Sequence, residues 1–170
     1  MKSALAVAIV VAAILAACGD PVHSNEVDAL GPEKNGVSPG PNHRPGQPCV
    51  ICHGSSGPAS PQFAIGGTIY LVKGQPDPAP GVTVKITDSR GQTRTATTNK
   101  VGNFYILASD WDPLPPHTVE LGYTGGYTAN MGTKIGRDGS CAGCHFGKPG
   151  PDTPGPVYLA TDPADLPGAM

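Results

Sequence analysis

The sequence is short of charge, of aromatic side chains and of methionine. Only 14% of its residues are Asp, Glu, Lys or Arg, 5% are Phe, Trp or Tyr, and there are three Met. With 11 basic against 13 acidic residues the formal net charge is −2. No basic excess is available to neutralise a phosphate backbone, so nucleic acid is not an expected partner. There is no Gly-rich phosphate loop, nucleophile elbow or paired-carboxylate pattern, and phosphoryl-transfer and hydrolytic chemistries therefore lack a carrier. Gly (24) and Pro (20) make about a quarter of the 170 residues, close to the composition of chains that stay disordered. A core made of protein side chains alone would be thin. A large apolar prosthetic group would supply the missing bulk.

Long apolar runs are also lacking, with one exception at the start. Lys2 is followed by the uncharged, almost wholly apolar stretch 3–17. That is short of the roughly 20 residues needed to cross a bilayer and suits the h-region of an export signal. It ends Leu15-Ala16-Ala17-Cys18. Small residues before a cysteine resemble the bacterial lipoprotein signal, and that resemblance implies lipidation at Cys18 and an exported, lipid-anchored protein of the cell envelope. The alternative is a secretory signal with an incidental cysteine. Gly19 is not the Asp retention signal of some enteric bacteria, which leans the expectation towards the outer membrane or cell surface without deciding the leaflet. The mature chain would then run from Cys18 to Met170, 153 residues, the size of one domain.

Five spans follow from composition: a signal peptide at 1–17, a flexible tether at 18–41, a first cysteine-bearing segment at 42–62, a β region at 63–131, and a second cysteine-bearing segment with a Pro/Gly-rich tail at 132–170. Within the β region, residues 65–72 read as a strand. Val82, Val84 and Ile86 alternate with polar neighbours in a clean period of two. Residues 92–98, 103–107 and 118–123 read as three more strands, separated by the turns Asp88-Ser89-Arg90-Gly91 and Asn99-Lys100-Val101-Gly102. Phe104 and Ile106 fall on one face, and Val157-Tyr158-Leu159 in the tail offers one further short strand. The expectation is a mainly β protein: a single antiparallel β-sandwich with loop-rich cysteine-bearing segments at both ends.

Pro80-Gly81-Val82-Thr83-Val84 and the turn-then-strand 99–104 also resemble carboxypeptidase-regulatory-like, transthyretin-like β-sandwiches. The resemblance covers roughly residues 65–123. It implies a commonly non-catalytic module and says nothing of chemistry.

The chemistry lies in the cysteines. There are five; Cys18 is assigned to the lipid, and the other four form two CxxCH motifs, Cys49-Val50-Ile51-Cys52-His53 and Cys141-Ala142-Gly143-Cys144-His145. This spacing is that of c-type haem attachment. Two thiols three residues apart can add to the two vinyl groups on one porphyrin edge, and the following histidine is held under the iron as an axial ligand. The expectation is two covalent haems c, with Cys49, Cys52, Cys141 and Cys144 as thioethers and His53 and His145 as proximal ligands. CxxC pairs can also form redox disulfides or a four-cysteine zinc site, but both pairs end in histidine and no βαβ pattern is visible.

The distal ligands stay open at this level. His43 lies six residues before Cys49, Met131 ten before Cys141, and His117 follows Pro115-Pro116. All three are candidates, each against a bland reading: surface histidine, core methionine, loop histidine. A histidine–methionine pair would raise the reduction potential relative to two histidines. The arrangement of lipid signal, His43-x-x-Gly46-x-x-Cys49-x-x-Cys52-His53, β module and second CxxCH resembles small bacterial dihaem cytochrome lipoproteins. That resemblance implies cytochrome character and gives no reaction. The reading taken from the cofactors is electron transfer without substrate turnover, with other redox proteins of the envelope, the membrane, and self-association into a haem chain as partners. The alternatives are a dihaem peroxidase-like enzyme and a haem-containing surface interaction or sensor module.

Overall fold

A computed structural model of the chain describes residues 20–33 and 35–166. The signal segment and Cys18 lie outside the described residues. The chain divides into two compact units, Met1–Gly31 and Pro32–Met170.

The first unit carries a helix where a tether was expected: α1, Pro21–Ala29. Its start is explained locally. The Asp20 carboxylate accepts hydrogen bonds from the Val22 and His23 amides at 3.0 and 3.3 Å, and Pro21 occupies a first-turn position where no amide hydrogen is needed. The helix has no apolar stripe, so its signal was in its cap and not in its periodicity.

The second unit is mainly β. Its strands are β1 (Phe63–Val72), β2 (Thr83–Thr87), β3 (Thr93–Thr97), β4 (Asn103–Leu107), β5 (Thr118–Tyr123), β6 (Tyr127–Asn130) and β7 (Val157–Ala160). They form two sheets, β4-β1-β7 and β3-β2-β5-β6. All pairings are antiparallel except β1 with β7, which is parallel, Ile69 opposite Val157 and Val72 opposite Ala160. The purely antiparallel expectation is corrected at that pair. The tail returns to the sheet through a long excursion carrying the second cysteine motif, so it arrives running the same way as β1.

Period-two patterning accounts for the packing. In β2, Val84 and Ile86 are fully buried while Thr83 is exposed, and in β4 Phe104 and Ile106 are buried on either side of exposed Tyr105. With Ile65 and Ile69 of β1, Leu121 of β5, Leu159 of β7 and Trp111, these residues make one apolar core fed by both sheets. Two polar residues close its corners. Thr98, buried, donates to the Ala79 carbonyl at 2.5 Å and accepts from the Val82 amide at 2.9 Å. Asp88, buried at the first turn, accepts from the amides of Arg90, Gln92 and Leu114 and from the Arg90 guanidinium. Burial pushes its carboxyl upward, but those four donors outweigh it and hold the group at about 2.

Candidate functional site

Each CxxCH motif forms one short helical turn: α2, Cys49–His53, and α3, Cys141–Cys144 with His145 as its C-cap. Residues i, i+3 and i+4 share one face of such a turn. The spacing therefore puts the two cysteines of each motif on one side of its turn, with the histidine following directly.

Both turns rest on the same strand, at adjacent residues. A Cβ built on Gly66 would lie 3.1 Å from Cys49 Cβ and 3.3 Å from its Sγ. One built on Gly67 would lie 2.7 and 2.8 Å from the same atoms of Cys141. Successive side-chain positions point to opposite faces of a strand, so Cys49 approaches one face of β1 and Cys141 the other. The 88 residues between Cys52 and Cys141 are thus folded away, and the motifs meet. Ser140, the N-cap residue of α3, accepts a 2.8 Å hydrogen bond from the Val50 amide in the first turn of α2. One segment supplies the cap that the other lacks, since Pro48 has no side chain able to accept. The Gly66 amide also donates to the Gly139 carbonyl at 2.9 Å.

The two histidines are held alike. His53 Nδ1 lies 2.7 Å from the Pro61 carbonyl oxygen, and His145 Nδ1 lies 2.9 Å from that of Gly155. A carbonyl can only accept, so Nδ1 carries a proton, and in the neutral ring Nε2 keeps its lone pair. Metal-bound histidines are commonly oriented in this way. A cavity of about 590 Å³ adjoins the second turn, with Cys141, Cys144, His145, Met131, Tyr127 and Leu159 in its wall. Its size is that of a cofactor site.

The candidate distal residues fare differently. The His43 ring centroid is 5.7 Å from that of His53, with 14° between planes. Its Nδ1 accepts from the Gly40 amide at 3.2 Å, so the neutral ring carries its proton on Nε2, and ligation through Nε2 requires that bond to be given up. Met131 shares the cavity wall with His145. His117 is buried at the start of β5, exchanging two 2.9 Å backbone bonds with Ile135. Its ring lies 6.3 Å from Trp111 and is not among the residues lining that cavity.

Several contacts were not read from the sequence. Gly46 (φ 79°) leaves room for the Tyr70 hydroxyl, 2.6 Å from where its Cβ would stand, and its amide donates to Thr68 at 2.7 Å. Phe63 stacks on His53 (4.1 Å between centroids) and on exposed Tyr105 (4.4 Å). The paired glycines in Ile65-Gly66-Gly67-Thr68 were the available signal, because glycine inside a strand pattern marks close approach of another group.

None of the four described cysteines is joined in a disulfide. Burial pushes Cys49 up to about 11, and burial together with the neighbouring Cys49 and Asp138 pushes Cys141 up to about 12. Among the described residues no group of three or more His, Cys, Asp or Glu side chains is placed to hold a bare metal ion. No helix among the described residues is long and apolar enough to cross a membrane.

No protein-family model matches the chain, and neither a curated protein nor a solved structure matches it.

Proposed function

We propose that the protein is an exported electron carrier with two covalent haems c, one at each CxxCH turn, and that it is not an enzyme. The observation that carries this reading is the duplicated construction. Each turn carries two cysteines and a histidine at i, i+3 and i+4, and each histidine is oriented by a backbone carbonyl at Nδ1. Two such units on one strand favour an electron-transfer pair over two unrelated sites.

The chain's own residues would divide the work as follows. Cys49 and Cys52 attach the first haem, and Cys141 and Cys144 the second; His53 and His145 are the proximal ligands. The cavity beside α3 would hold the second haem, with Met131, which lines it together with His145, as the further residue able to bind its iron. His43 is the distal ligand of the first. Its ring is stacked 5.7 Å from that of His53, and it would have to turn and give up its Gly40 bond to bind the iron. His117 has no ligand role in this scheme. The bound haem supplies one-electron chemistry; the protein sets its potential through ligands and burial.

The two sheets with their shared core fit a β-sandwich, with the haem segments as loop-rich additions to it. Cys18 is the lipid anchor, placing the chain in the envelope beside redox partners met through small, transient interfaces. The test is spectroscopic. The protein from a host competent in c-haem attachment should reduce and reoxidise reversibly, with low-spin spectra in both states. Rapid peroxide turnover at a five-coordinate haem would instead favour the peroxidase alternative.

A further inference from the structure

We infer that the Gly66–Gly67 step of β1 is a side-chain-free septum that sets how closely the two haem-bearing turns approach, with one on each face. This rests on the dihaem reading and adds to it the element that fixes the spacing.

Three observations point the same way. The register from Ile65 to Thr68 against β4 is continuous, so Gly66 and Gly67 face opposite sides without a bulge between them. Gly66 pairs with exposed Tyr105 and Gly67 with buried Phe104, which identifies an outer and an inner face. The first cysteine of each motif fills the place of the missing side chain, Cys49 outside and Cys141 inside. A strand of this composition is a poor choice for stability, since glycine weakens a strand interior. Two in succession are explained when something must reach the backbone from both sides. Ser140 then ties the turns to each other at the septum's edge.

The two glycines are not equivalent. At Gly67 an added Cβ falls 2.7 Å from Cys141 Cβ and 3.1 Å from the Phe104 ring, so the second turn must move. At Gly66 the nearest atoms are at 3.1 and 3.3 Å, and a shift of a few tenths of an ångström in Cys49 accommodates it.

The experiment compares wild type with Gly66→Ala, Gly67→Ala and Ser140→Ala, each as haem-loaded protein. Covalent haem per chain is counted by intact mass, its site is mapped by peptide mass, and spin–spin coupling between the ferric centres is read by electron paramagnetic resonance. Wild type should carry two coupled haems. Gly67→Ala should lose most of the coupling, or lose haem at Cys141/Cys144 while keeping it at Cys49/Cys52. Gly66→Ala should show a smaller loss, confined to the first motif. Ser140→Ala leaves the strand untouched and should also weaken the coupling, so it decides the matter if Gly67→Ala fails to fold. Two haems with wild-type coupling in both Gly67→Ala and Ser140→Ala would overturn the septum alone. A wild-type chain without covalent haem would overturn the dihaem reading with it.

Discussion

Replacing Gly155 by alanine should damage the second haem site selectively, and the structure gives the size of the effect. Gly155 sits at φ 80°, in the left-handed region, and its carbonyl receives the His145 Nδ1–H at 2.9 Å. Alanine at such a backbone costs about 1–2 kcal/mol. Its Cβ would also stand 2.7 and 2.9 Å from the Pro149 ring, which is rigid, so the loop 149–155 must move. For a chain of this size each kcal/mol lowers the melting temperature by about 2–4 °C, and the fold should therefore survive. The carbonyl would no longer be aimed at His145. Loss of such an orienting partner typically weakens metal ligation about 10–100-fold. In the haem-loaded protein, imidazole or cyanide titration followed by absorption should show the second haem yielding its axial ligand at lower concentration, with the first unchanged. Equal behaviour of both haems in Gly155→Ala and wild type would refute the assignment of Gly155 as the group that orients His145.

Three further outcomes are expected. His43→Ala should convert one low-spin haem to high spin, seen by paramagnetic resonance, and leave the other unaltered. Met131→Leu preserves bulk but removes the sulfur, so it should abolish a sulfur-to-iron band and lower one midpoint potential in a spectroelectrochemical titration, because methionine ligation raises potential. Asp88→Asn should change acid stability with a definite sign. The Asp88 carboxyl is lowered from 3.8 to about 2 by its Arg90 and amide donors. Its contribution is therefore full above pH about 4 and lost as pH falls towards 2. The variant should be less stable than wild type at neutral pH, and the gap in melting temperature should close across that window.

Much of the sheet was legible because burial on one face imposes alternation. Val82, Val84 and Ile86 announced β2, and Phe104 and Ile106 announced β4. The four residues of β6 were too few to show a period, and the parallel seating of Val157–Ala160 beside β1 depends on a long-range pairing that local pattern does not encode. Helix α1 was hidden because it has a cap but no apolar face. At the site, the cysteines and His53 and His145 are readable from spacing alone, since one helical turn creates their geometry. The carbonyls of Pro61 and Gly155 reach their histidines through loop conformations 8 and 10 residues on, and the shared cap at Ser140 and the two-sided approach at Gly66 and Gly67 arise only when distant segments are brought together. Of these only the paired glycines offered a sequence signal; Pro61, Ser140 and Gly155 carry no distinctive chemistry that could reveal their roles.

The most direct test of the account is the covalent haem stoichiometry of the intact chain. Protein made in a host with c-haem maturation should show an intact mass raised by two haems and a denatured pyridine haemochrome spectrum of thioether-linked haem. Replacing Cys49 and Cys52, or Cys141 and Cys144, by alanine should remove one haem each. A chain whose four cysteines remain free thiols, with no haem attached under those conditions, would contradict it.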